Sequence, residues 1–256
     1  IRATFSGAQP NDPHTHCPAA RPSWRGQLPG GFGRRGLFGG RVMPAYRSSA
    51  EAEIRDAAIT RLRELMPGCR IIHEINCASF GPNRIDLLAV TKDRIAAVEV
   101  KSERDKLDRL PAQLASMQGV AHYAIAALHE KFLTPWKASY TDLPAFHEPD
   151  EARGAVVWAY PIRPRAGSLG EWPLHDRWGK PKLLPPPDFI DLLWAAELRA
   201  IVRKHNLHRA VSGLDMSQMV DLIRWGLPGK TVLAETCATL RSRNCTEADP
   251  AVEAAA

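Results

Sequence analysis

The chain has 256 residues, 45% of them hydrophobic, so it can bury a real core and wholesale disorder is excluded. Lys and Arg number 34 against 28 Asp and Glu, a formal charge of +6, which permits a polyanionic partner without requiring one. Five cysteines, none in a Cys-x-x-Cys pair, argue against a disulfide framework or a zinc ribbon. No apolar run approaches the roughly 20 residues that span a bilayer, and no apolar leader stands at the start, so a cytoplasmic setting is expected.

Residues 1–46 are rich in Gly, Pro and Arg without apolar periodicity, and are read as a disordered basic extension. Met43 is a candidate natural start. The other reading of the segment is a nucleic-acid-binding arm carrying Arg21, Arg25, Arg34, Arg35 and Arg41. From Ser48 the pattern changes. Ser48 or Ser49 caps a helix with Ile54, Ala58, Leu62 and Leu65 on one face, closed by Pro67-Gly68. Strands are expected over 70–76, 84–90 and 94–101. A helical stretch with Leu107, Leu110, Leu114 and Met117 on one face follows. Pro111 either breaks that helix or marks its first turn.

Further strands are expected over 123–128 and 155–160. The prolines of 166–187 read as a linker, and Asp188 as the cap of a helix reaching Lys204. Two shorter helices, over 217–225 and 230–243, flank Gly226-Leu227-Pro228-Gly229. In these helices Trp194 and Trp225 are expected in the core, with base stacking as the other reading, and Glu197 in a buried pair with an arginine. The expected domains are a core over 47–165, the linker 166–187, a helical module over 188–245 and a flexible tail over 246–256. The fold class is α/β: helix, three-stranded antiparallel meander, helix and strand, followed by helices.

The second and third strands join through a tight turn at Lys92 and Asp93. A symmetric hairpin there pairs residues whose numbers sum to 185, setting Asp86 opposite Glu99, with Lys101 on the same face. The rest of both strands is apolar on both faces, which marks them as buried. Two opposed carboxylates at a buried strand end repel, and a divalent cation would remove the conflict. On the preceding helix, Glu51 falls within the apolar arc at 100° per residue while Glu53 points away, so Glu51 is chosen as the further acidic member.

Glu51, Asp86 and Glu99-Val100-Lys101, in this order of elements, resemble the PD-(D/E)XK nuclease superfamily, its resolvase-like and VRR-NUC-like phage and bacterial members included. The resemblance implies a restriction-endonuclease-like core and a metal-dependent nuclease acting on DNA in a repair, phage or mobile-element setting. Asp86, Glu99 and the Val100 carbonyl would hold Mg²⁺ or Mn²⁺, with Glu51 assisting, and Lys101 would serve the attacking water. Gln113, on the following helix, is a further site candidate by the same likeness. Ile85 stands where the motif has proline. Arg104, Lys106 and Arg109 follow the motif and are candidates for phosphate contact or for a solvated face. The alternative is a non-catalytic nucleic-acid-binding or assembly protein that retains the fold. The oligomeric state is open, a homodimer included.

Overall fold

The structure, a computed structural model, describes residues 48–76, 84–174, 187–245 and 247–252. The N-terminal extension with Met43, and most of the expected linker, lie outside them.

Helix α1 (Ser49–Leu65) starts where the Ser48 hydroxyl accepts a hydrogen bond from the Glu51 amide. It buries Ile54, Ala58 and Leu62, and the two larger side chains stabilise the fold by about 1.5–3 kcal/mol each. Strands β1 (Arg70–Asn76), β2 (Arg84–Val90) and β3 (Ile95–Lys101) form the meander, and β4 (Tyr123–His129) and β7 (Val156–Tyr160) complete a sheet of order β1-β2-β3-β4-β7. The first three strands are antiparallel, while β3, β4 and β7 run parallel. Between β4 and β7, β5 (Thr134–Trp136) and β6 (Ala145–His147) pair separately.

Alternation along the central strands divides their side chains between two cores. Leu87, Ala89, Ala96 and Val98 pack with α1 and with Trp158 and Trp172, whose rings stack 5.1 Å apart. Leu88, Val90, Ile95 and Ala97 pack on the other face with helix α2 (Leu110–Val120) and the C-terminal helices. Pro111 sits in the first turn of α2, where its missing N–H costs nothing, so the second reading of that proline holds. The α/β class and the element order agree with the sequence. Among the described residues, no helix is long and apolar enough to cross a membrane.

Three expectations need correction. Asp188 does not cap a long helix: residues Pro187–Leu192 form a 3₁₀ segment, and α3 runs only Ala195–Lys204. Phe189, Ile190, Leu192 and Leu193 are all buried in this stretch. The tail beyond Asn244 is tied down over its described part. Ala248 bridges Ile72, the Asp249 amide donates to the Ile71 carbonyl, and the Asp249 carboxylate meets Arg63 at 2.7 Å. It thereby covers backbone groups on the β1 edge. Trp194 and Trp225 are 55% and 83% exposed, so neither is a core residue. Helices α4 (Met216–Gly226) and α5 (Gly229–Ser242) bury Met219, Ile223, Val232, Cys237 and Leu240 instead.

Candidate functional site

The β2–β3 ladder pairs Val90 with Ile95, Ala89 with Ala96, Leu88 with Ala97 and Leu87 with Val98, the register of the symmetric hairpin. Beyond Leu87 the ladder gives way to a side chain. Asp86 Oδ2 accepts the Val100 N–H at 2.9 Å. Glu99 and Lys101 are buried beside it, 2% and 6% exposed. Lys101 Nζ donates to Glu99 Oε1 at 2.6 Å and to Gln113 Oε1 at 3.0 Å, while Gln113 Nε2 donates to the same Glu99 oxygen. Glu99 Oε2 is buried without a hydrogen-bond partner. Burial, followed by the neighbouring Asp86 charge, pushes the Glu99 carboxyl up to about 7, against the opposing pull of Lys101.

The rest of the site is organised by a residue that the sequence reading missed. Arg55, 1% exposed, sends Nε to Glu51 Oε1 at 2.7 Å and Nη1 to the Asp86 carbonyl at 2.8 Å. Its Nη2 lies 2.8 Å from both Glu74 Oε1 and Asp86 Oδ1. One planar guanidinium thus joins α1, β1 and β2, a bridging geometry that lysine cannot reproduce. Burial raises the Asp86 carboxyl above its ordinary range, and the Arg55 charge is the first influence that opposes this.

Glu51 is part of this network. Glu53 is not, and accepts instead from the Tyr160 hydroxyl at 3.1 Å. Glu74 was also missed. Its backbone turns into the left-handed region at φ +56°, within a strand whose register runs from Arg70↔Val90 to Asn76↔Arg84. Those pairs sum to 160, which places Glu74 against Asp86, so extending the first hairpin in the same way could have found it. Arg55 could have been found four residues after Glu51, on the same side of the helix.

A cavity of about 1000 Å³ opens over this network, with Glu51, Asp86, Glu99, Lys101 and Gln113 among its lining residues. From the C-terminal helices, Trp194 and Arg243 line it too. Arg243 makes the pair expected of Glu197, with Nε 2.7 Å from Oε1 and Nη2 2.5 Å from Oε2, under the Trp194 ring at 4.3 Å. At the rim, Arg104, Lys106 and Arg109 are exposed in the loop between β3 and α2.

The carboxylates that the nuclease motif would assign to a metal ion are engaged by groups of the chain itself, Glu99 Oε2 excepted. Asp86 spends one oxygen on Arg55 and the other on a backbone amide, and Glu99 spends one on Lys101 and Gln113. Among the described residues, no group of three or more His, Cys, Asp or Glu is arranged to hold a metal. Asp86 and Glu99 line one cavity and raise each other's electrostatic cost, and Arg55 and Lys101 offset them.

Residues 45–137, 93 of the 256, match the family model described as bacteriophage P4 protein cII. No curated protein and no solved structure matches the chain. The matched stretch contains Glu51, Asp86, Glu99, Lys101 and Gln113, all the residues on which the PD-(D/E)XK resemblance rested. The match is to a bacteriophage P4 protein, and it overturns the assignment to the nuclease superfamily, with the hydrolase activity, the endonuclease role and the repair setting drawn from it.

Proposed function

We propose that this protein is a non-catalytic nucleic-acid-binding protein of phage regulatory type, in which the carboxylate centre is structural and holds a basic rim in place. The observation that carries this reading is Arg55. Its guanidinium already supplies the positive charge among Glu51, Glu74 and Asp86 that a catalytic metal would have to supply. Lys101, expected to serve a reacting water, is held by Glu99 and Gln113.

The rim supports the binding half of the proposal. Lys131 Nζ donates to the Glu103 and Asp105 carbonyls, and the Asp105 carboxylate accepts from the Ser102 amide and hydroxyl. The loop so fixed presents Arg104, Lys106 and Arg109 to solvent, beside the exposed Glu103 and Asp108, and these three cations are the candidates for phosphate contact. The similarity to bacteriophage P4 protein cII over 45–137 is the ground for the phage setting of this reading.

The test is fluorescence anisotropy of a labelled DNA duplex in EDTA, followed by plasmid incubation with Mg²⁺ or Mn²⁺. The expected result is salt-dependent binding in EDTA and an uncut plasmid. No binding at low salt would overturn the nucleic-acid reading, and metal-dependent nicking lost in Asp86→Asn would overturn its non-catalytic half.

A further inference from the structure

The helical module carries a second basic surface, on residues outside the cavity lining, with an unusual centre. Trp225, in the last turn of α4, is 83% exposed. Among the described residues it has neither a ring partner nor a cation over its face. The other exposed tryptophans among the described residues are engaged: Trp194 by Arg243, and Trp136 by His147, stacked at 5.3 Å. A bare indole offers an open ring face, and tryptophan is a residue by which proteins stack on bases.

The fold brings cations to the end of α4 that carries this indole. After α3 the chain turns through Asn206, at φ +52°, and sets Leu207 directly against Gly226, the residue after Trp225. A Cβ on Gly226 would stand 2.9 Å from Leu207 Cδ2, so glycine permits this approach. The segment Arg203–Arg209 is thereby fixed beside the end of α4, and Lys230 follows one short turn later, at the start of α5. Glu235 offsets Lys204 and His205 in this segment, at 2.7 and 3.0 Å. Arg203, Arg209 and Lys230 are exposed, and no described ion pair holds them. Cations without internal partners around an open indole are complementary to a chain of phosphates with bases to stack.

We propose that Trp225, with Arg203, Arg209 and Lys230 around it, is a stacking platform for a single-stranded stretch of nucleic acid, distinct from the rim at the cavity. The proposal rests on the nucleic-acid reading above and adds the strand state and the surface. Base stacking on Trp225 supplies affinity without sequence preference, and the three cations follow the backbone.

The experiment is titration of the full chain with an oligothymidylate and with a duplex of equal length, read by anisotropy of the labelled nucleic acid and by tryptophan emission. Wild type, Trp225→Phe, Trp225→Ala and the double variant Arg203→Glu/Arg209→Glu are compared, after circular dichroism and thermal midpoints have shown each to be folded. The single strand is expected to quench the part of the emission that Trp225→Phe lacks. Trp225→Ala and the double variant should each weaken single-strand binding about tenfold, while Trp225→Ala leaves duplex binding unchanged. Duplex binding with unchanged single-strand affinity in Trp225→Ala overturns the platform and leaves the nucleic-acid reading standing. Failure of wild type to bind either form overturns both. Concentration-dependent sedimentation abolished by Trp225→Ala, with no effect on single-strand affinity, assigns the face to self-association and also overturns the platform.

Discussion

Two buried guanidinium groups line the same cavity and are held differently. Arg55, from the α/β core, has Nε on Glu51, Nη1 on a backbone carbonyl and Nη2 between Glu74 and Asp86. Arg243, from α5's C-terminal cap, has one carboxylate partner, Glu197, and the Leu192 carbonyl, and its Nη1 is buried without a hydrogen bond. Around Arg55 the acids outnumber the cation, and the network ties three elements of the core together. Around Arg243 the cation meets one acid and an aromatic ring. The acidic wall at Arg55 is consumed by internal structure, whereas Arg243 is matched one to one by Glu197.

The largest expected effect comes from breaking the first centre. Arg55→Met should lower unfolding free energy in urea by about 3–5 kcal/mol, because it leaves the Glu51, Glu74 and Asp86 carboxylates without their buried cation. Arg243→Met should cost less, roughly 2–3 kcal/mol, since it frees a single carboxylate that reaches solvent. Equal losses, or a larger one for Arg243, would erase the contrast.

A pH series sharpens it further. The Glu99 carboxyl is raised to about 7 in the folded chain, so between the ordinary carboxylate range and neutrality the native state binds more protons than the unfolded chain. Stability should therefore fall as pH rises through this window, and level off above about 7. Asp86 is shifted in the same direction and adds to the slope. Glu99→Gln should flatten the profile, as read by urea midpoints across that range. A wild-type chain that gains stability over the same range would contradict the burial argument.

The smallest effect belongs to the rim. Changing Arg104, Lys106 or Arg109 singly to Ala should reduce the slope of log K against log salt by up to about one, similarly for unrelated DNA sequences. Stability should hardly move, because these side chains are exposed. A sequence-dependent loss would show base readout.

Much of the core was legible because hairpin arithmetic and side-chain alternation are local rules. The tight turn at Lys92 and Asp93 and the two-residue period were enough to place Leu88 against Ala97. Glu51 was separable from Glu53 by helical angle alone. The neutralising partners were not legible in the same way. Arg55 acts on β1 and β2 from another element, and although its place four residues after Glu51 puts it on the sheet-facing side of α1, nothing local shows which acids it reaches. A metal ion and a buried guanidinium solve the same electrostatic conflict, so the conflict alone could not choose between them. Trp225 misled for a related reason: its place in a helix suggested packing, whereas exposure depends on how α3 docks against the end of α4.

The account's central claim is that the carboxylate centre is neutralised from within. Calorimetric titration of Mn²⁺ into the purified chain tests it most directly, with Asp86→Asn as the control. The account predicts no saturable heat that distinguishes the two proteins. A stoichiometric Mn²⁺ site in wild type, abolished by Asp86→Asn, would contradict it.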